Sequence, residues 1–124
     1  MIENKYNEEE HILYVTITGE VQLQDMLDAL GFIISSPELP RNLKILENAT
    51  NAKIVFKVED LELIVEKLNE CLLDFDSIQH AVIHSQPIGS AFVIIITKMI
   101  HHSGYVLKDF STETAAKSWL KNHY

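Results

Sequence analysis

Residues 85–100 read SQPIGSAFVIIITKMI, and the fold turns on whether this stretch is part of a membrane span, a strand, a phosphate-cradling loop or a helix. A bilayer span needs about 20 predominantly apolar residues. Here the run 88–96 already contains Gly89 and Ser90, and Lys98 follows, so no membrane span is expected. Val93, Ile94, Ile95 and Ile96 are all β-branched and lose rotamer freedom in a helix, which favours a strand. The neighbours decide otherwise. IQHAVIH (78–84) and GYVLKDF (104–110) both read as strands, and two parallel strands need a crossover of about a dozen or more residues, usually a helix. Residues 86–103 have that length, and Pro87 stands where the missing N–H of a first helical turn costs nothing. The stretch is predicted as a helix, apolar on nearly all sides, either sandwiched in the core or used at a subunit interface.

Working outward, residues 2–7 make a weak first strand before the NEEE turn, and HILYVTIT (11–18) is a β-branched run of strand length. From Gln22 the period changes. Leu23, Met26, Leu27, Leu30 and Ile34 trace the stripe that an amphipathic helix buries, and Pro37 and Pro40 close it. LKILENA (43–49) fits an interior strand, with NAKIVFK extending it or forming a loop. In residues 59–73, Leu61, Ile64, Val65, Leu68 and Leu72 share one helix face while Glu59, Glu62, Glu66 and Glu70 occupy another. A last helix is expected in STETAAKSWLKNH (111–123). Alternating strands and helices imply an α/β layer structure with a largely parallel sheet.

The totals agree with one domain over 1–124, because 124 residues leave too little chain for a second core. With 47% hydrophobic and 23% charged residues, the composition is that of an ordinary globular protein. A formal charge of −8 argues against nucleic acid, whose binding is driven by Lys and Arg displacing counterions. The acids crowd into residues 1–76, where solvated helix faces account for them. MIENKYNEEE has neither the basic region nor the apolar core of an export signal, so a cytoplasmic address is expected. Cys71 is the one cysteine, which excludes an intrachain disulfide and a multi-cysteine metal site; among leucines it reads as a buried, inert thiol.

Candidates for chemistry are few. His80 and His84 are four apart, but on a strand that is roughly 13 Å at 3.3 Å per residue, too far for shared ligation. No metal site and no cofactor are expected. His101 and His102 are expected to meet the helix dipole at a C-terminus. Ser85 and Ser90 lie in no G-x-S-x-G elbow, and no G-x-x-x-x-G-K-[ST] loop is present; they read first as helix caps. An anion or small ligand could still be taken at that helix start, which makes Ser85, Gly89 and Ser90 candidate binding residues. The polar segment Glu47-Asn48-Ala49-Thr50 offers Asn48 and Thr50 as further candidates, since open α/β sheets bind ligands beyond the carboxyl ends of their strands. The competing reading is that Asn48 and Thr50 close a turn on their own backbone. Trp119 and Leu120 read as core anchors of the last helix.

The phrases HILYVTITGEV, LKILENATNA and FSTETAAKSWL, with the Pro-begun apolar helix between two strands, together resemble the SpoIIAA-like branch of the STAS superfamily. The resemblance spans nearly the whole chain, and the ending F-S-T-E-x-A-A-x-x-W-L carries most of it. It implies a mixed, largely parallel five-stranded sheet with about four helices, wound as a SpoIIAA-like (STAS-type) β-α superhelix, and a role that is not enzymatic. Anti-anti-sigma members of the superfamily switch partners through a phosphorylatable serine in a D-S-S-G-type motif after the third strand. Here that region reads NATNAKIVFKVED, without such a serine. Two roles follow: a regulatory module meeting a protein partner or a second copy of itself as a homodimer, and a binder of a small apolar or acyl ligand at the mouth formed by Asn48, Thr50 and the helix beginning near Pro87.

Overall fold

The computed structural model describes residues 1–122. Five strands and four helices alternate along the chain: β1 (Ile2–Asn7), β2 (Ile12–Val21), α1 (Leu23–Ile34), β3 (Asn42–Ile54), α2 (Leu61–Leu72), β4 (Ser77–His84), α3 (Pro87–Met99), β5 (Tyr105–Phe110) and α4 (Glu113–Asn122). A single turn of 3₁₀ helix, Val58–Asp60, leads into α2. The strands form one sheet in the order β1-β2-β3-β4-β5. Only β1 is antiparallel to its neighbour; β2, β3, β4 and β5 run parallel. This is the mixed, largely parallel α/β architecture expected from the sequence. The last helix was expected to reach residue 123, and that position lies outside the described residues.

Strand order explains where the helices lie. Parallel crossovers are right-handed in nearly all proteins. When successive strands are added in one direction, right-handed crossovers put α1, α2 and α3 on the same face. The residues buried there are Leu13, Val15 and Ile17 of β2, Leu43 and Ile45 of β3, Ile78 of β4 and Tyr105 of β5, against Leu30 and Ile33 of α1, Leu61, Ile64 and Leu68 of α2 and Phe92 of α3. The opposite face belongs to α4, whose Ala116 and Leu120 pack on Ile12, Leu46, Ala81 and Ile83 with no exposed surface at either helix residue. Period-2 alternation thus sends Ile78, His80, Val82 and His84 of β4 to the three-helix face, and Ala81 and Ile83 to α4. Trp119 is half-buried beside Phe110, with ring centroids 5.6 Å apart.

Residues 85–100 do coil into a helix over the sheet, with Pro87 as its first residue. They are not sandwiched. Only Gly89 and Phe92 are buried, while Ile88 and Ile94 are 42% and 56% exposed. Spacing accounts for this. Each parallel crossover advances one strand, about 4.8 Å, whereas packed helices sit about 8–10 Å apart, and α3, the last in the row, packs beside the edge strand β5 with α2 on its inner side. Phe92 anchors it by stacking on Phe56, with centroids 5.5 Å apart.

Several local expectations are settled or revised. For β3 the first of the two alternatives for NAKIVFK holds: the strand runs on past residue 49 to Ile54 beside β2, beyond the end of its ladder with β4 at Ala49. Between Asn48 and Asn51 it carries one more residue than β2 does between Thr16 and Thr18, which is a β-bulge. Ser85 and Ser90 do not cap α3: its N-cap is Gln86, without a side-chain cap bond. His102 does not cap α3 at its C-terminus either. Its Nδ1 accepts from the Gly104 N–H at 2.9 Å, closing a turn before β5 at a glycine where a Cβ would lie 2.6 Å from the Asp76 carbonyl oxygen.

Candidate functional site

Between the sheet and the three helices lies a cavity of about 120 Å³. Its floor comes from Val15 and Ile17 of β2, Ile45 of β3 and Val82 of β4, and its roof from Leu30, Leu68 and Phe92. The walls are overwhelmingly apolar. Its volume is close to the ~150 Å³ at which an engineered apolar cavity stays dry and takes up benzene. α1 and α2 pack on one another, α3 meets α2 and β5, and Phe92 and Ile96 of α3 line the space beneath it.

Into this apolar space β3, β4 and β5 place polar side chains. Glu47, His80 and Tyr105 all line the cavity and form a chain of hydrogen bonds, His80 Nε2 to Glu47 Oε1 at 2.9 Å and His80 Nδ1 to Tyr105 Oη at 2.8 Å. Glu47 and His80 side chains are 13% and 14% exposed. Burial, with the Glu47 charge second, holds the Tyr105 hydroxyl well above the ordinary tyrosine range, so it keeps its proton. Asn4 of β1 also lines the cavity, and its Oδ1 is buried without a hydrogen-bond partner among the described residues. Cys71 reaches the same space from α2; its thiol is fully buried, and burial first, then Asp74 and Glu70, push its pKa up to about 11. That agrees with the inert thiol expected.

At one end of the cavity, His84 and Gly89 are pressed together. A Cβ on Gly89 would lie 2.7 Å from His84 Cγ, so α3 approaches β4 this closely only because residue 89 has no side chain. Ser90 Oγ donates to Asp109 Oδ2 at 2.9 Å, and His84 Nε2 meets the same carboxylate oxygen at 3.2 Å and Ser90 Oγ at 3.3 Å. The three residue types are those of a hydrolytic triad, but the wiring is not. A triad has the carboxylate on Nδ1 and the serine on Nε2, whereas here both converge on one nitrogen and the serine proton goes to Asp109. The cluster ties α3 to β4 and β5. Among the described residues no three His, Cys, Asp or Glu side chains gather as a metal site; His80 and His84 each face a separate carboxylate.

The sequence candidates therefore divide. Gly89 lines the cavity and Ser90 sits in the cluster beside it. Asn48, Thr50 and Ser85 form a separate group at the β3 bulge: Asn48 Oδ1 accepts from the Thr50 N–H at 3.1 Å, and Ser85 Oγ donates to the Thr50 carbonyl at 2.9 Å. Asn48 thus bonds its own backbone two residues on, the turn-like alternative, within a bulged strand. Glu47, Tyr105, Asn4 and Asp109 were not singled out by sequence. The available signal was parity: His80 and His84, too far apart to chelate, share one face of β4 with Ile78 and Val82, and polar groups on that face must find partners.

No family model matches the chain, and no curated protein matches it. Among solved structures it is similar to an uncharacterized protein of the DUF3478 family with a SpoIIAA-like fold from Shewanella loihica PV-4, at 14% identity and a TM-score of 0.60, over 97% of this chain and 92% of that one. The fold is SpoIIAA-like. No helix among the described residues is long and apolar enough to cross a membrane.

The Asp109 cluster has a pH signature. Burial raises the Asp109 pKa, but hydrogen bonds from Ser90 and His84 outweigh it and hold the carboxyl below the usual range. A depressed carboxylate stabilises the fold above its unfolded value of about 3.9 and loses that contribution as pH falls through the folded value. In urea denaturation, wild type should exceed Asp109→Asn in stability at pH 6, and the gap should shrink toward about pH 3. A pH-independent gap would mean that the charge on Asp109 does not hold the cluster.

Proposed function

We propose that this protein binds a small, largely apolar molecule in the cavity beneath α3 and does not transform it. The observation that carries the reading is the cavity of about 120 Å³, since close-packed interiors rarely tolerate voids larger than a water molecule and small-molecule sites combine apolar walls with a few placed polar groups. The Glu47–His80–Tyr105 chain supplies those groups. α3 supplies the door: it packs beside the edge strand β5 and is held at its start by the Ser90–His84–Asp109 contacts. A binding rather than catalytic role is supported by the wiring of that cluster, where the Ser90 hydroxyl donates to the Asp109 carboxylate and not to an imidazole nitrogen as in a triad. Toluene serves as a probe. At about tenfold excess over its Kd, binding should add about 1.4 kcal/mol, roughly 5 °C in Tm. Ala52→Leu, which extends a side chain from β3 into the cavity, should abolish that shift while leaving the fold intact. Equal shifts in both proteins, or none in wild type, would refute the reading.

A second reading rests on a different observation, the outward face of α3, where Ile88, Ile94 and Met99 are exposed. It supports self-association or docking of a protein partner through that helix, within a single-domain regulatory module. Sedimentation of wild type at tens of micromolar should show dimer, and Ile94→Glu should shift it to monomer. A wild type that is monomeric at that concentration eliminates the homodimer.

A further inference from the structure

The hydrogen-bond chain in the cavity can be assigned proton by proton. Glu47, when ionised, only accepts, so the His80 nitrogen facing it, Nε2, must carry a hydrogen and donate. In a neutral imidazole the other nitrogen is then an acceptor, so the Tyr105 hydroxyl donates to Nδ1. This arrangement satisfies every proton and leaves a particular remainder. Glu47 Oε2 makes no hydrogen bond among the described residues, the Tyr105 oxygen keeps its lone pairs, and Asn4 Oδ1 is buried without a partner. All three are acceptors lining one apolar space. The donors of this chain are already used: the His80 N–H goes to Glu47 and the Tyr105 O–H to His80.

A hydrogen-bond chain whose unspent capacity is all acceptor discriminates by what it cannot satisfy. A ligand bearing a carboxylate would bring further acceptors, and a second negative charge, beside Glu47 in a low-dielectric site. A ligand with a hydroxyl or amino group would complete the partnerships. Building on the ligand-binding reading above, we propose that the bound molecule is an apolar compound with a hydrogen-bond-donor head, an alcohol or a primary amine, whose donor is taken by Glu47, and that free fatty acids are rejected. Glu47 is then the specificity-determining residue of the site, with His80 and Tyr105 positioning its carboxylate.

The experiment compares four probes by calorimetry at pH 8: 1-hexanol, hexylamine, hexanoate and toluene. Hexanol or hexylamine should bind at least about tenfold tighter than hexanoate, the scale at which a buried site built for one hydrogen-bonding type rejects its mismatch. The alcohol and amine arms separate a neutral donor from a cationic one. Glu47→Gln, checked for an unchanged cooperative melt, removes the charge and offers an N–H; it should bring hexanoate to within about threefold of hexanol. Hexanoate binding wild type as tightly as hexanol, with toluene also bound, would overturn the donor preference while leaving the ligand-binding reading in place. Failure of all four probes would overturn both. An unfolded Glu47→Gln leaves the wild-type comparison to decide alone.

Discussion

Strand order is the constraint on which the structure depends. Once β2, β3, β4 and β5 are laid down in one direction, right-handed crossovers put α1, α2 and α3 on one face. Helices about 8–10 Å apart cannot follow strands about 4.8 Å apart indefinitely. The mismatch accumulates at the third helix. There α3 has Ile88 and Ile94 exposed, and a cavity lies beneath it. An apolar helix that the sequence alone cannot distinguish from a core helix becomes, for a geometric reason, the least enclosed one.

The same geometry explains the polar groups inside. β4 is buried on both faces, with Ala81 and Ile83 under α4 and Ile78, His80, Val82 and His84 under the helices opposite. Polar side chains in such a strand are tolerated only if hydrogen-bonded, and each histidine has its own carboxylate, Glu47 from one neighbouring strand and Asp109 from the other. One pair joins Tyr105 and looks into the cavity. The other joins Ser90 and fastens α3. Two histidine–carboxylate pairs with different neighbours thus sit four residues apart on one strand.

Much of the architecture was legible in the sequence because period and punctuation speak directly: the 3.6 spacing of Leu61, Ile64, Val65, Leu68 and Leu72, the prolines after α1, and Pro87 opening the crossover. The strand propensity of 93–96 was overruled by topology, which is how the family resemblance and the SpoIIAA-like fold agree. The site was less legible. Glu47, His80 and Tyr105 lie 25 or more residues apart, and only the register of three parallel strands brings them together. Asn48 and Thr50 were legible as turn-like residues and NAKIVFK as a continuation or a loop, but the bulge against β2 that reconciles the two was not. A cavity leaves no signal in sequence at all, because it records the misfit between elements rather than any residue.

The central claim, a real apolar void between the sheet and α3, is tested most directly by diffraction from crystals pressurised with xenon, which enters dry cavities of this size. The account predicts a xenon peak bounded by Val15, Leu68, Phe92 and Tyr105, with the backbone of α3 otherwise unmoved. Absence of xenon there, with Phe92 and Ile96 found closing the space against Ile45 and Val82, would contradict it.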